Sequence, residues 1–189
     1  MSTSPIERVL QRACDLLSFL GVPYHFYGGL VVAAWGDPRN TRDVDVVVIP
    51  SVDTPEKILS GGADAGFFFD PERARLDLLT SKFTRMGLGR SHLDLFLGST
   101  PFDRAASARR RRIILFGHEI DVASAEDLIV YKLVAGRPRD LSDVESILVR
   151  QRGTLSVSYM EEWVSRISQD LGRPEVVGSL ERLLRLRYR

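Results

Sequence analysis

The sequence predicts an α/β fold, with a mixed β-sheet core flanked by helices and a C-terminal helical part. Residues 1–122 alternate between helical periodicity and short β-branched runs, whereas only helical patterns follow residue 122. Of the 189 residues, 44% are hydrophobic and 27% are charged, which is typical of a globular protein and excludes a disordered or collagen-like chain. We therefore predict a mixed-sheet core over residues 1–122 and a helical part over residues 123–189 that closes over the site of this core.

Charge and cysteine content restrict the classes of partner and compartment. The 26 basic and 25 acidic residues give a net charge of +1, so only local patches would attract nucleic acid. Cys14 is the single cysteine, which excludes an intrachain disulfide. No basic-then-apolar leader and no apolar run of membrane-spanning length occurs, so we expect a cytoplasmic protein without a membrane partner.

The first half of the chain is predicted to alternate helix and strand. Apolar residues recur every three or four positions over residues 6–20, which predicts an amphipathic helix that ends at Gly21. Glycine, proline or polar loop residues separate the next predicted elements. These are a strand over residues 24–27, a helix over 30–35, a strand over 43–49, a helix over 55–59, a loop over 61–66 and a helix over 71–79.

The second half begins with two predicted hairpins. Residues 82–86 and 91–97 alternate around Gly87-Leu88-Gly89, which places His92, Asp94 and Phe96 on one face of a strand. Residues 111–116 and 118–122 form the second hairpin. Four helices follow, over residues 124–135, 141–149, 159–171 and 175–186.

Two carboxylates are held side by side in the strand that begins at Asp43. Because strand side chains alternate, Asp43 and Asp45 project from one face, with Cα atoms roughly 6.5 Å apart. This pair suits Mg²⁺, which prefers carboxylate and phosphate oxygens. The alternative is an edge strand whose polar face simply meets water.

A glycine turn and a third acid strengthen this hypothesis. Gly28-Gly29 joins a strand to a helix N-terminus, where backbone N–H groups can approach a phosphate closely, although a tight turn is the simpler interpretation. Asp94 is either a solvated strand position or, if its strand pairs beside Asp43 and Asp45, the third carboxylate of a site for two divalent ions.

These motifs resemble the nucleotidyltransferase superfamily with the DNA polymerase β-like palm, and more narrowly the AbiEii-type minimal nucleotidyltransferases of prokaryotes. The resemblance rests on Tyr27-Gly28-Gly29, on Thr41-Arg42-Asp43-Val44-Asp45, on Asp94 and on the stretch over residues 127–143, and it covers most of residues 24–150. It implies that Gly28, Gly29 and Arg42 bind the nucleotide, that Asp43 and Asp45 bind metal, and that Asp94 acts on the acceptor. Asp94 is also a predicted metal ligand, through the strand pairing considered above. Many members carry serine at the position of Gly29.

A second cluster follows residue 123. Ser124-Ala125-Glu126-Asp127 has capping-box spacing, and Lys132 is the single charge in the apolar run after it, so its ammonium group either reaches the rim or binds an anion such as a triphosphate. We predict the anion, assisted by Arg137 and Arg139. Asp140 and Asp143 are expected to start the next helix, and the resemblance makes Asp140 a nucleotide-binding candidate.

The run Arg109–Arg112 predicts either a nucleic-acid contact or a face paired with acids. The three histidines have no metal-like spacing, so no zinc site is expected.

The predicted activity is transfer of a nucleoside monophosphate from an NTP to an acceptor hydroxyl, with Mg²⁺ or Mn²⁺ as cofactor. The expected acceptor is RNA, such as a tRNA 3′ end, or protein, in a toxin–antitoxin-type system with a cognate partner. The alternatives are a small-molecule, antibiotic-modifying nucleotidyltransferase, which an acidic acceptor pocket would indicate, and an inactive fold that serves as a binding module.

Overall fold

The computed structural model describes residues 4–188, which form six strands and nine helices. In chain order they are α1 (Pro5–Leu20), β1 (Tyr24–Tyr27), α2 (Gly28–Trp35), β2 (Asp43–Val48), α3 (Thr54–Asp64), α4 (Pro71–Thr80), β3 (Phe83–Leu88), β4 (Ser91–Leu97), α5 (Pro101–Ala108), β5 (Arg111–Leu115), β6 (His118–Val122), α6 (Ala125–Ala135), α7 (Pro138–Arg150), α8 (Val157–Leu171) and α9 (Glu175–Arg187).

The strands form one mixed sheet in the order β3-β4-β2-β1-β6-β5. β2 runs parallel to β4 and β1 runs parallel to β6, whereas the other neighbours are antiparallel. The predicted fold class, a mixed sheet flanked by helices, is confirmed.

One face of the sheet is apolar and packs against α1. Val44 and Val46 on β2 and Leu93 and Leu95 on β4 have no exposed surface. The buried face of α1 lies against these strands, as the periodicity of residues 6–20 predicts. Because strand side chains alternate, the acids of β2 and β4 must project from the opposite face.

The predicted loop over residues 61–66 is wrong, because α3 continues to Asp64. A Cβ at Gly61 would lie 2.6 Å from a ring carbon of Phe19 and 2.8 Å from a methyl carbon of Leu16, both on α1. Because Gly61 has no side chain, α1 and α3 can approach closely. Gly61 is therefore a packing residue within a helix and does not mark a turn.

Two other local predictions need correction. The first hairpin turns at Gly89-Arg90, since β3 extends through Gly87 to Leu88, and Leu88 pairs with Ser91. Helix α5 is not predicted by the periodicity, although Thr100 and Asp103 form a reciprocal capping box at its start.

The chain divides into two compact units. The first contains the described residues up to Leu30 and Asn40–Val122, and therefore the whole sheet with α1, α3, α4 and α5.

The second unit contains Val31–Arg39 and the described residues from Ala123 onward, with helices α6 to α9 packed on one another. The indole N–H of Trp35 donates to the Ala123 carbonyl at 2.9 Å, and the Gln151 side chain donates to the Trp35 carbonyl at 3.0 Å. These bonds attach residues 31–39 to the helices of this unit.

None of the helices over residues 4–188 is both long enough and apolar enough to cross a membrane.

Candidate active site

Strand register brings the three predicted carboxylates together on one face of the sheet. In the parallel pair β2 and β4, Asp43 lies opposite His92 and Asp45 lies opposite Asp94. Paired residues of neighbouring strands project to the same side, so the four side chains share one face. We call Asp43, Asp45 and Asp94 the carboxylate face.

The Gly28-Gly29 turn lies directly against this face. Tyr27, the last residue of β1, pairs with Asp45, and Gly28 then begins α2 with φ of +71°. A Cβ at Gly28 would overlap the carboxylate of Asp45. The glycine thus serves both the backbone conformation and the close approach of a carboxylate to the turn.

Asp94 is held by Arg85, which is not among the predicted site residues. Arg85 on β3 donates from Nε to Oδ1 and from Nη2 to Oδ2 of Asp94, both at 2.7 Å. The Asp94 side chain is 10% exposed and that of Arg85 is 53% exposed. The hydrogen bonds to Asp94 raise the pKa of Arg85 above its ordinary value, although partial burial opposes this.

Asp43, unlike Asp94, lies beside a histidine. The Nδ1 atom of His92 lies 3.2 Å from Oδ1 of Asp43, and the two side chains are 39% and 41% exposed. Asp43 is therefore the more solvent-accessible of Asp43 and Asp94. It can accept a further ligand without first losing a buried partner.

The residues present fit a divalent cation that takes part of its ligands from substrate. Within residues 4–188, no group of three or more His, Cys, Asp or Glu side chains is arranged to hold a metal ion. Both oxygens of Asp94 face Arg85 instead. Asp43 and Asp45 still offer two carboxylates on one face, beside a turn with no Cβ, and Mg²⁺ binds through one or two carboxylates plus substrate phosphates.

In the second unit, Lys132 is enclosed by acids. Its ammonium group lies 2.9 Å from Asp140 Oδ1 and 2.8 Å from Asp143 Oδ2, and all three side chains are at most 6% exposed. Arg137 also binds Asp140, and Arg39 binds Asp143. Two buried carboxylates thus neutralise Lys132, and its role toward a triphosphate stays a prediction, as do those of Arg137 and Asp140.

The two aspartates of this cluster are ionised more readily than usual. Burial by itself would raise the pKa of Asp140, but hydrogen bonds from Arg137 and Lys132 outweigh it and lower that pKa. Burial by itself would also raise the pKa of Asp143, but hydrogen bonds from Arg39 and Lys132 outweigh it and lower that pKa. In this cluster two buried carboxylates bind three cations, Lys132, Arg137 and Arg39.

The expectation that Asp140 and Asp143 start the next helix is wrong. Helix α7 already begins at Pro138, with Arg137 as the N-cap residue. Proline suits the first helical turn because its missing N–H has no intrahelical partner there. The predicted cap at Ser124 is confirmed, since its side chain accepts a hydrogen bond from the Asp127 N–H.

Two arginines of the run Arg109–Arg112 form ion pairs with an aspartate of the sheet. Arg110 and Arg112 both donate to Asp121 on β6 at 3.0 Å, and Asp121 is buried. The hypothesis of a face paired with acids therefore describes these two arginines. The predicted role of Arg42, which is exposed just before β2, stays a prediction.

The missed residue, Arg85, had a sequence signal. A two-residue turn at Gly89-Arg90 pairs Leu88 with Ser91 and therefore places Arg85 opposite Asp94. The alternation around Gly87-Leu88-Gly89 by itself leaves the register open. A hairpin fixes its cross-strand pairs only when the turn length is known.

Solved structures with a similar fold include an antibiotic-resistance factor and an antibiotic adenylyltransferase. The solution structure of the antibiotic-resistance factor ANT(2'')-Ia matches with a TM-score of 0.60 and 11% sequence identity, covering 88% of this chain and 93% of that chain. The lincomycin-bound crystal structure of the lincosamide antibiotic adenylyltransferase LnuA matches with a TM-score of 0.54 and 16% identity, covering 75% of this chain and 95% of that chain. No protein-family model and no curated protein matches the chain.

The chain therefore has the nucleotidyltransferase fold, as the motif resemblance implies. At these identities the likeness establishes the fold, and the chemistry must be argued from the carboxylate face itself.

Proposed function

We propose that the protein is a Mg²⁺- or Mn²⁺-dependent nucleotidyltransferase that transfers a nucleoside monophosphate from an NTP to an acceptor hydroxyl. One observation carries the proposal: the register of β1, β2 and β4 lines up the Gly28 turn, Asp45 and Asp94 across one sheet face. Carboxylates for a hard cation and a close-approach turn for phosphates are the two components that this chemistry needs.

Each residue of the site has a proposed role. Asp43 and Asp45 would hold the divalent ion, which supplies charge neutralisation at the phosphates when bound. The backbone N–H groups of Gly28 and Gly29 at the start of α2 would approach the triphosphate, next to the Asp45 carboxylate that lies against Gly28. The exposed position of Arg42 at the start of β2 gives a guanidinium that can pair with the same phosphates.

The reaction forms one P–O bond and breaks another. The acceptor hydroxyl oxygen attacks the α-phosphorus, the bond from that phosphorus to the oxygen bridging the α- and β-phosphates breaks, and pyrophosphate leaves. We propose that Asp94 orients the hydroxyl and accepts its proton, once a carboxylate oxygen is released from Arg85.

The comparisons support a small hydroxylated molecule as the acceptor. The two structures of similar fold belong to an antibiotic-resistance factor and an antibiotic adenylyltransferase, and each is matched over more than nine-tenths of its length. This acceptor class is the alternative that the sequence left open. The RNA or protein acceptor, with its toxin–antitoxin partner, rests on the motif resemblance and is the competing outcome.

Two acids of residues 70–77 form contacts within their own helix. Asp70 caps α4 by accepting from the Arg73 N–H, and Asp77 pairs with Arg73 at 2.9 Å. These acids are used by their own helix. Asp70 and Asp77 therefore do not by themselves argue for an acceptor that carries several positive charges.

Label transfer tests the proposal. Each α-³²P-labelled NTP is incubated with Mg²⁺ and the protein, and label is measured in lincosamides, aminoglycosides, host RNA and host protein. The wild type is compared with Asp43→Ala and Asp45→Ala. Asp64→Ala is the matched control, because Asp64 is an exposed carboxylate at the end of α3 in the same unit.

We expect label in one small-molecule pool that requires Asp43 and Asp45 but not Asp64. Label in RNA or protein with the same dependence would retain the reaction and replace the acceptor. Equal transfer by the wild type and Asp43→Ala would contradict the reaction. No transfer, together with no NTP binding by calorimetry, would favour the binding-module alternative.

A further inference from the structure

We propose that Arg85 is a latch on Asp94, meaning that its guanidinium competes with a divalent cation for the Asp94 carboxylate. The inference rests on the proposed function, because it concerns the third acid of the same carboxylate face. It assigns Arg85 a positioning role and predicts that Asp94 joins the metal site only after this ion pair opens.

The geometry of the pair supports competition. Arg85 engages both carboxylate oxygens of Asp94 at 2.7 Å, in the bidentate arrangement that is the strongest form of this contact. A carboxylate neutralised in this way has less negative charge to offer a cation. The structure accordingly shows no three-ligand metal cluster within residues 4–188, although three acids share the face.

The two partners differ in their access to water. Asp94 is 10% exposed, whereas Arg85 is 53% exposed on strand β3 at the edge of the sheet. The guanidinium can therefore be solvated when it leaves, whereas the buried carboxylate needs another cation in its place, which a bound divalent ion would supply. A buried arginine would lack this alternative.

Register places Asp94 between its two partners. It pairs with Arg85 of β3 on one side and with Asp45 of β2 on the other. The ladder fixes the backbone of all three strands, so exchange between the partners requires only side-chain rotation. Cation binding at Asp45 would favour the inward orientation, because the added positive charge offsets the repulsion between the carboxylates.

Divalent-cation affinity without nucleotide tests the latch. Mn²⁺ binding is measured by calorimetry for the wild type, Arg85→Ala, Arg85→Lys, Asp94→Asn, the Arg85→Ala/Asp94→Asn double variant and Asp43→Asn. Arg90→Ala is the matched control, because Arg90 is an exposed arginine in the turn of the same hairpin. Circular dichroism checks that each variant is folded.

We expect Arg85→Ala to bind Mn²⁺ about fivefold more tightly than the wild type, a change corresponding to ~1 kcal/mol. Arg85→Lys separates a latch from simple charge, because lysine keeps the charge but loses the bidentate contact, so a smaller gain is expected. The gain should disappear in the double variant, since it requires the Asp94 carboxylate.

Three results would overturn the latch alone, provided that Mn²⁺ binding depends on Asp43. The first is an Mn²⁺ affinity that Arg85→Ala leaves unchanged or weakens. The others are a gain in affinity that persists when Asp94→Asn is added and an equal gain in affinity in Arg90→Ala. Weakened binding would mean that Arg85 orients Asp94 for the metal. Mn²⁺ binding that Asp43→Asn does not affect, or no binding by any variant, would contradict the metal site of the proposed function and the latch with it.

Discussion

The carboxylate of Asp45 occupies the space that a Cβ at Gly28 would fill. Gly28 also has φ of +71°, in the left-handed region that glycine tolerates best. Two separate requirements, backbone conformation and room for a carboxylate, therefore coincide at one position of the site.

Replacing Gly28 should damage the site more than backbone strain alone explains. We expect Gly28→Ala to abolish nucleotide transfer, because the new Cβ displaces the Asp45 carboxylate, and to lower the free energy of unfolding by more than the roughly 1–3 kcal/mol that a strained φ costs. Label transfer and urea unfolding measure the two effects.

Gly66→Ala is the control, because Gly66 has φ of +81° but nothing within 4 Å of an added Cβ. It should show strain of the same order and normal transfer. Equal loss of activity in both variants would show that the contact with Asp45 is unimportant.

Lys132→Met should destabilise the helical unit. The substitution removes the buried cation that Asp140 and Asp143 share, but Arg137 and Arg39 still pair with them, so we expect a loss smaller than the about 3–5 kcal/mol that an uncompensated buried charge costs. Urea unfolding followed by circular dichroism measures the change.

Lys57→Met is the matched control, because Lys57 pairs with the exposed Asp53 within one turn of helix and should be almost neutral. If Lys132 served chiefly to bind a triphosphate, its replacement would weaken NTP binding and leave unfolding unchanged.

His25 should make stability depend on pH in a defined window. Burial lowers the pKa of His25 from 6.5 to about 4, against an opposing effect of Asp103. Between these values the unfolded chain binds a proton that the folded chain does not, so stability is full above pH 6.5 and falls as the pH decreases toward 4. The loss contributed by His25 is about 3 kcal/mol.

Unfolding free energies measured from pH 7.5 to 4 test this prediction. His25→Leu should flatten the slope, while His118→Gln, which changes a partly exposed histidine, should retain it. An unchanged slope in His25→Leu would assign the pH dependence to other groups.

Two helical glycines should respond oppositely to alanine. Gly178→Ala on α9 should raise the unfolding free energy by up to about 1 kcal/mol, because helix propensity improves and nothing lies within 4 Å of the added Cβ. Gly61→Ala on α3 should lower it by roughly 1–3 kcal/mol, because the Cβ meets Leu16 and Phe19. Thermal unfolding of both variants provides the comparison, and stabilisation by Gly61→Ala would contradict the close packing of α1 and α3.

Local patterns in the sequence predicted most of the secondary structure. The periodicity of residues 6–20 and the alternation from Asp43 onward are properties of neighbouring residues, and α1 and β2 form there. The same alternation placed Asp43 and Asp45 on one face, because side-chain direction in a strand has a period of two. The motif resemblance implied the nucleotidyltransferase fold.

Tertiary structure decided which partner each charged group has. Asp94 pairs with Arg85 because a two-residue turn sets the register of β3 and β4, and a shift of one residue would turn the arginine to the other face. Lys132 meets Asp140 and Asp143 because α6 and α7 pack together, and burial then makes neutralisation by carboxylates the favourable arrangement. The sequence by itself determined most of the elements and the face on which the acids lie. The charge on that face depends on contacts between strands, because ion pairs depend on distances that local periodicity does not contain.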